Sequence, residues 1–419
     1  MKKVLFISYY WPPSGKASIH FPLKIIKHLP SFDWLPVVLT VTEDTFSQKD
    51  ETFINEVPKE VRIYRAKTYE PFNFYKKFTG KEKDQQLVAS ETISTKNKSI
   101  AHRLSVWIRM NLFIPDARVG WYFPAVNQGL ELLKKERVEA IVSIGPPHTT
   151  HLIGKKLSAK HKLPHIPVFI DPWVDISYYL NYKRNKLALA IDNHLEKSVL
   201  KNSSAVIFVT ETMKNDYEKK YSFVKNKSKV LYWGYSEEEF EEIEIENKLI
   251  EEKTIVHAGN IFSYQNPISF WEQLKKEIDS GNKIKLKFIG TVDPTIKESI
   301  SEASLDDVTE YMGFLPYKKM LDEVCSSDFL LVCATEPRHV PGKLFEYLRA
   351  GKPIIAFGNR NDEVKEIIKN ANAGMMFGYE ESGEEFFRKY SSFKTNKEFV
   401  KGFDRRSISE EFRNILNRL

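Results

Sequence analysis

Lys343 and Glu346 stand three residues apart in HVPGKLFEYLRAGKPIIAFG, residues 339–358. On a helix that spacing puts a cation and a carboxylate on neighbouring faces. Pro341 suits a first helical turn and Gly351 a C′ position, while Leu344 and Leu348 form an i,i+4 apolar pair that faces a sheet. In solvent a Lys–Glu pair contributes only a few tenths of a kcal/mol. This helix directly follows the strand-like DFLLVCAT, however, so the pair lies at an edge where ligands are held.

Other strand ends carry similar groups. In SYYWPPSGKAS, Ser14 and Gly15 allow backbone N–H groups to approach an anion at a helix start, and Lys16 adds charge; a plain Pro-Pro turn is the simpler reading. In SIGPPHTTHLIG, His148 and His151 sit where a strand meets a helix, suited to contact a hydroxyl or phosphate, or to packing and capping. Their i,i+3 spacing has no third ligand nearby, which argues against zinc. PVFIDPWVDIS puts Asp171 at a strand terminus with Asp175 close by; Asp there also caps turns routinely. VHAGNIF ends a strand on Gly259 and Asn260, and GFLPY ends another with Phe314, each a place for a phosphate or a base to meet the backbone, or merely a turn.

The elements that position these loops alternate. VLFIS, LPVVLTV, EAIVSIG, PVFID and AVIFVT read as buried strands separated by helical patterns, which predicts a parallel sheet over about residues 1–240. The alternation fails near 70–99, where TGKEKDQQLVASETISTKNKS predicts a mobile insertion. Leu104, Trp107, Ile108 and Asn111–Leu112 then fall roughly on helical spacing, either facing a core or forming an interfacial patch. The acidic run SEEEFEEIEIENKLIEEK reads as a solvated linker or boundary. A second β/α alternation occupies about 250–395, and 396–419 closes the chain with an amphipathic helix that can pack back across the domains. Two parallel sheets in tandem bind ligands outside the carboxyl ends of their strands, and facing each other they make an interdomain cleft.

Composition narrows the classes. The chain has 42% hydrophobic residues, enough for packed cores. Its net charge of +7 suits an anionic membrane surface or a phosphorylated ligand. No zinc-finger spacing, RNP-like motif or arginine-rich tract argues for nucleic acid. Cys325 and Cys333 read as buried small hydrophobes, which favours a cytoplasmic location. MKKVLFISYYWPP is too short in its apolar run for a secretory leader, and no run reaches the length of a membrane span.

Taken in order, YYWPPSGKAS, NLFIPDARVGW, SIGPPHTTHLIG, FIDPWVD, GNIFSYQNP and VPGKLFEYLRAGKPIIA resemble the retaining family 4 glycosyltransferases of bacterial polysaccharide clusters, from Met1 to about Gly378. The resemblance implies an α/β GT-B fold, with an acceptor-binding N-terminal and a nucleotide-sugar-binding C-terminal Rossmann-like domain. It implies that Glu346 holds the ribose hydroxyls, that Gly342, Lys343 and Gly259 lie near the diphosphate, and that Ser14 and Gly15 form the loop facing donor phosphate and acceptor. His148 and Asp171 then contact the transferred sugar as orienting groups. The donor-binding set is Gly259, Asn260, Phe314, Arg338, Gly342, Lys343, Leu344 and Glu346. The first glutamate of the family's pair falls at Arg338 here, with Glu336 two residues off, and GNIFSYQNP lacks the family's frequent Arg and Lys. Phosphate charge is then met by Lys343, Arg338, Lys16 or helix N-termini. The implied reaction is sugar transfer with retention, without an essential metal or other cofactor, from a nucleotide-sugar to a glycan or lipid-linked acceptor, in the cytoplasm or at the inner face of the cell membrane. A UDP-sugar epimerase of the same fold and a non-catalytic sugar-binding protein are the alternatives.

Overall fold

The computed structural model describes residues 1–69, 100–176, 184–241, 243, 252–334 and 336–419. The insertion expected at about 70–99 lies outside them. The chain divides into two units, Met1–Leu231 with Ser409–Leu419, and Tyr232–Ile408.

In the first unit, short apolar runs build β1 (Lys2–Ile7), β2 (Trp34–Val41), β3 (Arg62–Ala66), β4 (Ala140–Gly145), β5 (His165–Phe169), β6 (Val206–Phe208) and β7 (Ser228–Val230). They pair in parallel in the order β3-β2-β1-β4-β5-β6-β7. Val4, Leu5, Phe6 and Ile7 are all buried, as expected of a parallel strand covered on both faces. The chain direction of travel reverses between β1 and β4, so the loops after these two strands flank a switch point, where open α/β sheets hold ligands. The C-terminal residues belong to this unit: Phe412 packs on Phe6, and the Trp34 indole donates to Asn417.

The second unit is a six-stranded parallel sheet, β10-β9-β8-β11-β12-β13, built from β8 (Lys253–Ala258), β9 (Ile284–Ile289), β10 (Thr309–Gly313), β11 (Phe329–Cys333), β12 (Ile354–Phe357) and β13 (Gly374–Phe377). Alternate strand residues feed two cores. Val256, Leu330, Val332, Ile354 and Ala356 meet Leu321, Val324, Leu344 and Leu348 on one side. Ile255, Phe329, Leu331, Ile355 and Phe357 meet Phe270, Trp271 and Ile296 on the other. The switch point here lies between β8 and β11. Cys325 and Cys333 are buried free thiols.

Two sequence expectations change. The acidic run begins as a packed helical turn, Glu237–Glu241: Phe240 is buried, and Arg349 donates to Glu237 through Nε at 2.6 Å. That part of the run is therefore anchored by an apolar side chain and an ion pair, not simply solvated; residues 242 and 244–251 lie outside the described part. On the helix Ile100–Leu112, Val106, Met110 and Asn111 are buried among the described side chains and Ile108 is half-buried, while Trp107 and Leu112 face outward. The Leu104 side chain lies outside the described part.

Candidate functional site

The helix Lys343–Ala350 starts beside the β8–β11 switch point and ends on Gly351, which adopts φ 70° and donates to the Tyr347 and Leu348 carbonyls. That left-handed conformation is one glycine takes at little steric cost. The Tyr347 hydroxyl accepts from the Ala258 N–H at 2.7 Å and ties the helix to the end of β8. The next residue, Gly259, has φ +105°, and a Cβ there would lie 2.9 Å from Lys343 Nζ. The ammonium thus lies against bare backbone at the strand end.

Lys343 Nζ is 3.1 Å from His257 Nε2, and His257 Nδ1 is 3.0 Å from the Leu331 carbonyl. A carbonyl only accepts, so Nδ1 carries the hydrogen and Nε2 presents its lone pair to the ammonium. Burial holds the His257 imidazole well below its ordinary pKa, with Lys343 adding to the effect. Enclosure likewise brings Lys343 down to about 8, against the opposing influence of Cys333 and Glu346. Glu346 accepts from the Tyr317 hydroxyl at 2.7 Å, and burial raises its carboxyl. Lys343 and Glu346 therefore take different hydrogen-bond partners, and each keeps capacity for further bonds: the ammonium has N–H donors to spare and the carboxylate a second oxygen.

Glycines mark the ends of three neighbouring strands: Gly259 follows β8, Gly290 follows β9 and Gly313 closes β10. Gly259 donates to the Ile289 carbonyl and Gly290 to the Gly313 carbonyl, each at 2.7 Å. All three have positive φ, and a Cβ on Gly290 would lie 2.8 Å from the Gly259 backbone. The result is a tight backbone rim. Asn260 accepts from the Thr291 N–H at 3.1 Å, fixing the loop after β9 against this rim. Of the remaining predicted donor residues, Gly342 is exposed and caps the helix, Phe314 is 89% exposed, and Leu344 is buried in the core with its N–H bonded to the Pro341 carbonyl. Arg338 is half-buried in a turn that Asn361 staples by donating to the carbonyls of Glu336 and His339, both at 2.8 Å.

In the first unit, the loop after β1 is pinned. Ser14 bridges to Lys49, Gly15 donates to Gln48, and Asp50 donates to Pro13. Ser14 is buried, while Gly15 and Lys16 are half-buried. After β4, His148 is the N-cap residue of the helix Thr149–His161 and stacks on Trp173, at 5.0 Å between ring centroids. Burial pushes its pKa down to about 3, so it is a neutral imidazole at pH 7. Trp173 belongs to the loop after β5 that also carries half-buried Asp171, so the structure brings the His148 and Asp171 loops together. Asp192 accepts from the Trp173 indole at 2.6 Å, Glu196 from Tyr217 at 2.7 Å, and the Tyr217 hydroxyl accepts from the Trp173 N–H at 2.9 Å. His151 turns away from that surface: Ser143 Oγ lies 2.8 Å from both His151 Nδ1 and His165 Nε2, all buried.

Comparison with known proteins then decides the family. A model described as Glycosyl transferases group 1 matches residues 238–409, and one described as Glycosyltransferase Family 4 matches residues 87–239. The chain belongs to these glycosyltransferases. No curated protein sequence matches it. Among solved structures, the glycosyltransferase is similar to HepE from Anabaena in complex with UDP, at 14% identity and TM-score 0.64 with both chains fully covered. It is similar to sucrose-phosphate synthase from Thermosynechococcus elongatus, at 12% identity and TM-score 0.63, over 100% of this chain and 99% of that one. A putative UDP-N-acetylglucosamine 2-epimerase from Listeria monocytogenes gives 10% identity and TM-score 0.55, over 98% and 95%. At such identities the likeness is one of fold: two Rossmann-like parallel-sheet domains of the GT-B type.

The structure also places beside these loops residues that sequence reasoning did not single out. Asp116 accepts from the Thr149 N–H and hydroxyl, both at 2.9 Å, and so caps the helix behind His148. Arg118 lies 5.3 Å from the Tyr9 ring centroid, linking the same segment to the loop after β1. Both sit in NLFIPDARVGW, whose acid and base between aromatics were the available signal. Gly290 follows the run IKLKFI as Gly259 follows TIVHA, and that shared pattern was the available signal. His257 and Tyr317 had no local signal.

Proposed function

We propose that this glycosyltransferase moves a sugar, with retention and without an essential metal, from a nucleotide-sugar to a glycan or lipid-linked acceptor in bacterial surface polysaccharide synthesis. The observation that carries the reading is the enclosed Lys343 ammonium over Gly259, one helical turn from Glu346. Glu346 has a carboxylate oxygen for ribose hydroxyls, and a charged hydrogen bond of that kind contributes about 1.5–3 kcal/mol. Lys343, with Arg338 and the backbone near Gly342, Gly259 and Asn260, meets the diphosphate. Phe314 completes the donor side.

In the reaction the bond from the anomeric carbon to the diphosphate oxygen breaks, and the acceptor oxygen bonds the same face of that carbon. The acceptor's proton passes to the leaving phosphate. Negative charge growing on the diphosphate is stabilised by Lys343, whose fixed position costs no reorganisation during the step. His148 and Asp171 orient the sugar, and Ser14 and Gly15 face the donor phosphate and the acceptor. That HepE was crystallised with UDP supports a nucleoside diphosphate in this fold. Exposed Trp107 and Leu112 and the net charge of +7 support a location at the inner face of the membrane; no described helix is long and apolar enough to cross one.

The test is a thermal-shift panel of UDP, GDP, CDP and dTDP, since a ligand of the native state raises its melting midpoint. One of them should raise it, and Glu346→Ala should weaken that nucleotide by about 1–3 kcal/mol. No shift with any, or unchanged affinity in Glu346→Ala, refutes the assignment. Epimerised sugar formed without acceptor would instead establish the epimerase reading, which the Listeria structure's similar fold favours.

A further inference from the structure

Among the described residues Lys343 has one hydrogen-bonding partner, and it is a neutral one. We infer that His257 is a positioning residue that holds the Lys343 ammonium over Gly259 without cancelling its charge; this rests on the donor site proposed above. His257 is fully buried in β8, between Val256 and Ala258. A polar ring there costs free energy unless both nitrogens are satisfied, and an apolar residue would pack more cheaply. Both are satisfied in a directional way: Nδ1–H donates to Leu331 and the Nε2 lone pair receives Lys343.

The choice of partner matters chemically. A lysine loses rotamer entropy when it grips a ligand, and fixing it beforehand removes that cost from binding. A carboxylate at position 257 would fix it too, but would neutralise it, leaving little attraction for a diphosphate. An imidazole whose proton is committed to the Leu331 carbonyl fixes the cation and leaves the charge whole. The other groups around the ammonium do not do this work. Burial pushes the Cys333 thiol up to about 12, which keeps it uncharged, and Glu346 is engaged by Tyr317. Gly259 completes the device, because any side chain there would occupy the place of the ammonium.

The experiment measures affinity for UDP, GDP, CDP and dTDP, and for their nucleosides, by calorimetry in the full-length protein and in His257→Phe, His257→Gln, His257→Glu, Lys343→Met and the His257→Phe/Lys343→Met double variant. Melting midpoints are followed throughout. For the diphosphate that binds best, His257→Phe should weaken binding about tenfold and leave the nucleoside unchanged. His257→Gln, which retains an acceptor, should stay within about threefold. His257→Glu, which neutralises the lysine, should be at least about tenfold weaker. In the Lys343→Met background, His257→Phe should add less than about twofold.

If Lys343→Met weakens the diphosphate and His257→Phe does not, the positioning role is wrong while the donor site stands. If His257→Phe weakens nucleoside and diphosphate alike, its role is merely structural and the inference falls. No effect of Lys343→Met overturns the donor site and the inference together. Should His257→Phe fail to fold, equal affinities of the Gln and Glu variants overturn the inference.

Discussion

Nucleotide binding should weaken as pH rises through the pKa of Lys343. Enclosure brings that pKa down to about 8, so about nine-tenths of molecules carry the cation at pH 7 and about one-tenth at pH 9. When only the cationic form grips the diphosphate, apparent affinity scales with the competent fraction and falls about tenfold between the two, or about 1.4 kcal/mol. The direction follows from the shift: the cation exists below 8 and is lost above it. Competing titrations on the protein lie elsewhere, and that of the uracil N3–H, near the top of this range, is shared by the wild type and Lys343→Arg, so their difference isolates the lysine. A terminal phosphate has its second pKa near 6 and is already mostly dianionic at pH 7, the Cys333 thiol is held up at about 12, and His257 stays neutral because its pKa lies well below its ordinary value. Calorimetry with UDP at pH 7 and pH 9, in two buffers of different ionisation heat, reads the affinity and counts protons. Binding at pH 9 should take up close to one proton per UDP, because the diphosphate selects the ammonium. Lys343→Arg stays charged throughout and should flatten the profile. Equal wild-type affinity at both pH values, with no proton uptake, refutes the reasoning.

Three further outcomes follow from the same geometry. His148 and His165 are buried and neutral, each held at about 3, whereas an unfolded histidine titrates near 6.5. The unfolded state therefore binds more protons below pH 6.5, and stability is lost as pH falls through it, by about 2 kcal/mol for each at pH 5. Denaturant unfolding of the wild type at pH 7 and pH 5, compared with His148→Phe, which keeps an aromatic ring on Trp173 and should lose less, checks this. Gly290→Ala puts a methyl 2.8 Å from the Gly259 backbone at φ +112°, and should destabilise by about 2–3 kcal/mol. Gly281→Ala, at φ +100° with nothing within 4 Å, carries the backbone strain alone and should melt higher than Gly290→Ala; equal melting temperatures contradict the proposed clash. Tyr317→Phe removes a hydrogen bond that favours the ionised Glu346, whose carboxyl burial already raises. Loss of nucleoside binding on the acid side should therefore begin at higher pH than in the wild type, as titrations between pH 5 and 7 can show.

Much of the fold was legible because parallel strands buried on both faces leave continuous apolar runs, as in VLFIS and EAIVSIG, and because Pro341 and Gly351 punctuate their helix. The loops at the strand ends were legible for the same reason. What was hidden depends on register. Lys343 has a glutamate three residues away in sequence, yet its hydrogen-bond partner is His257, 86 residues earlier, because β8 and β11 lie side by side. The stack of His148 on Trp173 likewise follows from the parallel pairing of β4 with β5, which no local period encodes. Pinning of the loop after β1 comes from residues 48–50, a segment with no chemical signature. The acidic run read as solvated because composition does not reveal that Phe240 anchors its first turn.

Ser143 sits between two imidazoles, and a hydroxyl has one hydrogen to give. It donates to one ring and accepts from the other, so His151 and His165 cannot choose their tautomers independently. When His151 carries its hydrogen on Nδ1, His165 carries its own on Nδ1; when His151 carries it on Nε2, His165 carries it on Nε2. The three residues thus store a single bit, written as the direction in which hydrogens run along the chain and exchanged without any change of net charge. Ser143→Ala would erase that bit, leaving two histidines with uncorrelated nitrogen resonances where the wild type has a matched pair.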